Sequence, residues 1–268
     1  METKKTNEIA VVTGAADAMG EAVAAQLTAE QWPLLLCDLH AERLENIAAK
    51  FRADGSLVET LAGDIADPGY ADRLDAALAS RSVGAFIHTA GLSPTMADAE
   101  RILRVNFDAT ARLVEMVRPR MTAGGCAVLI ASSAGHMVKS EELDRALGEA
   151  LAARNSDGLQ RFAANSQMAY TASKRAVHRL VAHEAASFGQ RGARIVSISP
   201  GLIDTAMARS EQAASTQMDA LLARTPLGRM GTAEEIASVA VFLCSKGASY
   251  VTGCDIRVDG GTLAALGL

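Results

Sequence analysis

The feature that most constrains this chain is a rhythm. Short apolar runs recur with longer amphipathic stretches between them: "IAVVTG" from Ile9, "PLLLCD" from Pro33, "GAFIHTAG" from Gly84, "CAVLIASS" from Cys126, "RIVSISPG" from Arg194 and "DIRVDGG" from Asp255. "SLVETLAGD" from Ser56 is a weaker run of the same kind. Strands buried on both faces of a parallel sheet read as such near-continuous apolar runs. Each parallel crossover needs a helix to carry the chain back, so the rhythm predicts an α/β fold: a doubly wound parallel sheet of about seven strands. In such sheets ligands bind beyond the carboxyl ends of the strands. Gly14, Asp38, Asp64, Gly91, Ser132 and Pro200 each follow an apolar run.

A chain of 268 residues, 49% hydrophobic, is long enough for one substantial core, and 1–268 reads as one domain without repeat or linker. The net charge of −5, with no basic run, argues against nucleic acid or an anionic membrane as the main partner and favours a small neutral ligand. Cys37, Cys126, Cys244 and Cys254 show neither ligand spacing nor a disulfide framework, and no His/Cys/Asp grouping reads as a metal site. The N-terminus is polar up to Ile9 and no apolar run approaches a membrane span, so a cytoplasmic location is expected. Residues 203–228 are polar and dotted with methionine, a pattern that suits a mobile lid and an ordinary surface helix equally.

"TGAADAMGEAVA" follows the first strand and opens a helix, with Gly14 and Gly20 spaced for a tight turn and a close approach to a pyrophosphate. Helix N-termini favour such anions because their first amides lack partners. Ala18 stands where a second glycine is usual, and a plain strand-to-helix turn also accounts for Gly14. Asp38 ends the second strand, where a carboxylate meets the adenosine ribose; the other reading is a cap for the helix near Ala41. Facing the ribose, it would cost a 2′-phosphate about 1 to about 4 kcal/mol, depending on the local dielectric. Asp17 in the loop, and no arginine or lysine beside Asp38, push the same way, so NAD is the expected cofactor.

"AYTASKRAVHRLVAHEAA" reads as a helix with Tyr170 and Lys174 one turn apart on one face. A phenol that exchanges a proton with an alcohol must bring its pKa from about 10 to near neutrality, which takes about 4 kcal/mol. A lysine 5 to 6 Å away supplies roughly 3 kcal/mol at an effective dielectric near 20. Taken alone, most such pairs would be an exposed Tyr and Lys; here a phosphate loop precedes them.

These motifs together resemble the short-chain dehydrogenase/reductase family over nearly the whole chain. Thr13, Gly14, Ala18, Met19 and Gly20 match its glycine loop, and Asp64 in "GDIAD" its acidic residue near the adenine. "HTAG", His88 to Gly91, stands where the family has Asn-Asn-Ala-Gly, so the usual strand-tethering side chains are missing. Asn106 matches the asparagine of a proton relay, Tyr170 and Lys174 the Tyr-x-x-x-Lys signature, and "SPGLIDT" the loop at the nicotinamide carboxamide. Val196 replaces a frequent asparagine, a departure the fold should tolerate.

The resemblance implies a Rossmann-like fold that contacts NAD through Gly14, Asp17, Ala18, Met19, Gly20, Asp38, Leu39, Asp64, Ile65, Ala90, Gly91, Tyr170, Lys174, Pro200, Gly201, Ile203 and Thr205. It also implies catalysis by Asn106, Ser132, Tyr170 and Lys174. Ser132 is preferred to Ser133 because it lies three residues before Gly135 and strand alternation separates the two hydroxyls; Ser133 is left a turn hydrogen bond. Ser132 would hold the substrate oxygen and Tyr170 take its proton. Lys174 would lower the phenol's pKa and, with Asn106, reach a water chain. His88 and His136, near strand ends, read as locally satisfied side chains.

"AGLSP" with a short run to Asn106, and the long interval from Ser132 to Tyr170, make the chain most similar to the bacterial 3α-hydroxysteroid dehydrogenase/carbonyl reductase type. That implies an alcohol or ketone substrate of hydrophobic character, a steroid being one candidate, in a pocket near Ser93, Pro94, His136, Met137, Met207 and Met218. The rivals are a dehydrogenase of small polyols, hydroxyacyl groups or terpenoid alcohols, and a non-catalytic NAD-binding redox sensor. Within the interval, a helical insertion at about 137–165, Leu143, Ala146, Leu147, Ala150 and Leu151 recur at helical spacing after Ser140 as N-cap, and Asp157 with Gln160 looks like a second capping box. Its apolar face needs cover, from its own subunit or a second one. The second is preferred, because relatives form homodimers or homotetramers through helices near Tyr170.

Overall fold

The computed structural model describes residues 7–138, 140–205 and 217–268. Met207 and much of the expected lid lie outside them. All seven apolar runs are strands of one parallel sheet: β1 (Glu8–Thr13), β2 (Leu34–Asp38), β3 (Val58–Ala62), β4 (Ser82–His88), β5 (Met121–Ile130), β6 (Arg194–Pro200) and β7 (Asp255–Val258). Their order is β3-β2-β1-β4-β5-β6-β7, so the direction of winding reverses between β1 and β4.

The strands read as continuously apolar because each feeds two cores at once. Ile9, Val11, Leu35, Phe86 and Leu129 enter one core, and their neighbours Ala10, Val12, Leu34, Leu36, Ile87 and Val128 enter the other. Each large side chain buried in this way contributes about 1.5–3 kcal/mol. Val196 joins the second core, fully buried, so the departure costs no unpaired amide.

Helices α1 (Ala18–Ala29) and α2 (Ala41–Ala53) contribute to the second core. The first core lies under α3 (Tyr70–Leu78), α4 (Ala99–Leu103) and α5 (Thr110–Val117), with a π-helical turn, Arg104–Ala109, joining the last two. Among the described residues, no helix is long and apolar enough to cross a membrane.

The insertion forms α6 (Glu141–Ala153), started by the Ser140 hydroxyl, which accepts the Leu143 amide. It packs on α7 (Ser166–Gly189), which carries Tyr170 and Lys174. Arg175 clamps Asp144 with two 2.6 Å bonds at one end, and Arg154 reaches the buried Glu184 at 3.0 Å at the other. Leu143, Ala146, Leu147, Ala150 and Leu151 are all buried within the chain. The apolar face is therefore closed within its own subunit. The expected second capping box is also absent: Asp157–Phe162 is a 3-10 turn without a side-chain cap on its N-cap Ser156, entered through Asn155, whose side-chain Oδ1 accepts the Asp157 amide at 3.2 Å.

Candidate active site

The glycine loop is built by close approach. Gly14 has φ +70°, and a Cβ there would lie 2.6 Å from the Ala90 nitrogen; a Cβ on Gly20 would lie 2.1 Å from the Gly14 oxygen. Both positions exclude any side chain, and the start of α1 is left bare backbone. The first amides of α1 have no intrahelical acceptor, and Asp17 at the N-cap does not supply one. A pyrophosphate fits this cradle on charge and on space.

Asp38 is nearly buried and holds the loop in place: one carboxylate oxygen accepts the Ala16 amide at 3.0 Å, the other the His40 amide at 2.9 Å. It is not the N-cap of α2, which is His40. No arginine or lysine flanks Asp38 in the chain, but the fold brings one to the glycine loop. Arg43, in the first turn of α2, lines the same cavity as the glycine loop and pairs with Asp17 at 3.4 Å. The two are distant along the chain, and only the fold of α2 against the loop brings them together.

The missing Asn-Asn pair is replaced. Thr89 donates its hydroxyl to the Thr13 carbonyl at 2.7 Å, which sews the ends of β1 and β4 together. His88 is buried between Thr13 Oγ1 at 2.6 Å on Nδ1 and Thr110 Oγ1 at 2.9 Å on Nε2. Thr110 donates its own proton to the Asn106 carbonyl at 3.0 Å, so Nε2 must be the donating nitrogen of His88 and Nδ1 must accept from Thr13. Burial, with Lys174 nearby, lowers the His88 pKa to about 3 and keeps it neutral. His88 is thus locally satisfied, as expected, and takes over the tethering.

Asn106 lies in the π-helical turn, a distortion frequent at functional sites. Its side chain clamps Leu92, accepting the amide at 2.7 Å and donating to the carbonyl at 2.9 Å, and donates to Ser173 Oγ at 3.2 Å. Ser173 donates in turn to the Tyr170 carbonyl at 2.7 Å. Sequence reasoning missed Ser173 and Thr110, although their places beside Lys174 and one turn past Asn106 are a visible signal. Lys174 Nζ donates to the Ile130 carbonyl at 2.9 Å. That ammonium lies 5.7 Å from the Tyr170 ring centroid, and its burial lowers its pKa to about 8.

Ser132, Tyr170 and Lys174 line one cavity of about 190 Å³ together with Asp17, Ala18, Met19, Gly91, Pro200, Gly201, Ile203 and Thr205. Gly14, Gly20, Ala90 and Asp38 stand behind this wall. Leu39 is exposed and faces a separate depression with Arg43, while Asp64 is held by Arg101 at 2.5 Å, and neither it nor Ile65 reaches the cavity. Ser133 is buried off the cavity, and the turn hydrogen bond expected of it is made by Ser132, whose hydroxyl accepts the Ala134 amide at 3.2 Å. Thr89, Leu92, Ser93, Ile130, Ala131, Leu202 and Met218 complete the lining; Pro94, His136 and Met137 take no part.

The fold also gathers three side chains of the His/Cys/Asp kind that the sequence keeps apart. His136, His178 and Asp255 bring their ligand atoms within 4.8 Å of one another, from a turn, a helix and a strand. His136 and Asp255 are 119 positions apart, so no spacing in the sequence shows them together.

The comparisons agree with the site. The short chain dehydrogenase profile matches residues 8–142, and the enoyl-(acyl carrier protein) reductase profile residues 144–262. A short-chain dehydrogenase/reductase of Alternaria brassicicola, bsc3, is 32% identical over 96% of both chains. Meso-2,3-butanediol dehydrogenase of Serratia marcescens is 31% identical, over 97% of this chain and 96% of the relative. The crystal structure of a glucose/ribitol dehydrogenase from Brucella melitensis superposes with a TM-score of 0.78 at 27% identity, covering 98% of this chain and 99% of that one. Fold and site define a nicotinamide-dependent oxidoreductase of alcohols and ketones. The chain belongs to the short-chain dehydrogenase/reductase family.

Proposed function

We propose that this enzyme interconverts a secondary alcohol and a ketone of largely apolar character with NAD, hydroxysteroids being the largest members of the substrate class. The observation that carries the reading is the meeting of Ser132, Tyr170 and Lys174 with the glycine loop in one cavity. Bound there, the nicotinamide dinucleotide supplies the hydride acceptor or donor. The chain supplies everything else. Ser132 presents a hydroxyl to the substrate oxygen, and Tyr170 takes or returns its proton. A charged Lys174 at 5.7 Å favours the phenolate by roughly 3 kcal/mol at an effective dielectric near 20, and Asn106 with Ser173 holds the turn of α7 that carries Tyr170. Leu92, Ile130, Leu202 and Met218 give the cavity its apolar side. Tyr170→Phe should abolish turnover of a panel of aliphatic, polyol and steroid alcohols while leaving dinucleotide binding measured by fluorescence intact; normal turnover would sink the assignment.

Preference for NAD rests on the carboxylate of Asp38 at the end of β2 and on Asp17, whose carboxylate engages Arg43 at the cavity edge. At equal low concentrations NADH should be consumed faster than NADPH. Asp17→Ala, by releasing Arg43, should raise the NADPH rate relative to NADH severalfold; an unmoved ratio would remove Arg43 from the argument. A homodimer or homotetramer remains our reading of the assembly. The exposed Phe242 and Tyr250 support it.

A further inference from the structure

The grouping of His136, His178 and Asp255 plays no part in the chemistry above, yet it is built from the elements that carry that chemistry. His136 ends the 3-10 turn that Ser132 starts. His178 follows Tyr170 and Lys174 at the same four-residue interval on α7 and so shares their face. Asp255 opens β7. The packing here is close: a Cβ on Gly135 would lie 2.7 Å from Cε1 of His178, so the serine turn rests directly on that ring.

Both imidazoles aim the same nitrogen at one carboxylate. His136 Nε2 lies 2.8 Å from Asp255 Oδ2, and His178 Nε2 lies 3.5 Å from Oδ1. Ligands at 2.0–2.1 Å around a tetrahedral dication stand about 3.3 Å apart, which the two separations bracket, and all three ligand atoms lie within 4.8 Å of one another. A fourth oxygen is already at hand, since Ser199 Oγ lies 2.8 Å from His178 Nε2 and 3.4 Å from His136 Nε2. The carboxylate is steadied from behind by Ser197, which donates to Oδ1 at 2.6 Å, the kind of outer hydrogen bond that orients a ligating oxygen. All three side chains are at most 19% exposed, and His136 opens onto a solvent-filled depression that also holds Glu141 and Asp144. The cations on that side have partners: Arg175 is clamped by Asp144, and Arg257 donates to the Leu268 carbonyl.

We propose that His136, His178 and Asp255 form a binding site for a borderline transition-metal dication of the zinc class, with the Ser199 hydroxyl or a water as fourth ligand. Two imidazoles and one carboxylate suit such an ion, whereas magnesium and calcium take oxygen ligands. The metal touches neither substrate nor cofactor. It fastens the turn bearing Ser132 to the helix bearing Tyr170 and to β7, fixing the distance between the two reacting hydroxyls.

The full-length protein, dialysed against a chelator, is titrated with Zn²⁺ against a chromophoric competitor, and separately with Co²⁺ while its visible absorption is recorded. One ion per chain is expected at micromolar affinity or better, with intense tetrahedral cobalt bands and a rise in Tm on zinc addition. His178→Gln and Asp255→Asn should each weaken binding by at least about tenfold and remove the cobalt bands. Tyr170→Phe should bind like the parent, which separates this site from the catalytic cavity. His136→Gln, at the more open end, serves as a second ligand variant if the buried ones fold poorly, and circular dichroism in metal-free buffer checks each. Binding weaker than about 100 µM, octahedral cobalt spectra, or affinities indifferent to all three ligand variants would overturn the proposal.

Discussion

His88 shows how much one residue can settle when its surroundings are fixed. At its position the family resemblance implies an asparagine, and a histidine there invites a catalytic or metal-binding role. The structure instead places it in a directed chain from Thr13 through Thr110 to the Asn106 carbonyl, with no proton free to move. Its ordinary pKa of about 6.5 applies in the unfolded chain, and about 3 in the folded one. Between those values the unfolded chain binds a proton that the folded chain refuses. The stability present above pH 6.5 is therefore lost as pH falls toward 3, by up to about 1.4 kcal/mol per pH unit. His88→Asn keeps a donor and an acceptor and has nothing to titrate. Urea midpoints taken at pH 7, 5 and 4 should fall less steeply in that variant; the same acid limb in both proteins would assign the effect elsewhere. Ser173 was equally readable, sitting beside Lys174 in the signature. Arg43 was not, because its partner Asp17 belongs to another helix.

At the scale of elements, the insertion is the instructive case. Its helix was legible down to the Ser140 cap, because capping and apolar spacing are local facts. What the apolar face packs on is not local: α7 offers a matching stripe and two ion pairs within the same chain, so the face is covered without a second subunit. Glu184 is the anchor: it is fully buried and takes Arg118 at 2.6 Å and Arg154 at 3.0 Å. Replacing 141–162 by a short loop should strip that cover, leave Glu184 with one cation and raise the solution mass by association through α7. Sedimentation velocity would show it, and a monodisperse species of unchanged subunit number would contradict it. The π-helical turn at Asn106 had no signal in the sequence, since a one-residue shift in helical hydrogen bonding is set by what Asn106 and Thr110 bind across the fold.

The whole molecule is one sheet with a core on each face, and the cavity lies where the winding reverses. Its walls come from the loop after β1, the end of β5, α7 and the segment after β6, so a ligand there bridges both halves of the sheet. A ligand that binds only the folded state at a hundred times its Kd adds about 2.7 kcal/mol of stability. Saturating dinucleotide should therefore raise Tm by several degrees, and Gly20→Val, whose Cβ collides with the loop backbone, should abolish the rise while lowering the ligand-free Tm. A Tm indifferent to dinucleotide in the parent chain would place the cofactor elsewhere.

By itself the sequence determined the fold and the motifs that carry the candidate reacting groups. Apolar runs with two buried faces can only be strands of a covered parallel sheet, and Tyr170, Lys174 and Ser132 lie in contiguous motifs whose spacing is a local matter. Only the tertiary structure decided which distant groups share a volume: Arg43 with Asp17, His88 with Thr110, α6 with α7, and His136 with His178 and Asp255. Those pairings depend on where separate elements come to rest on the sheet. That is set by the packing of the whole core, and no window of sequence contains it.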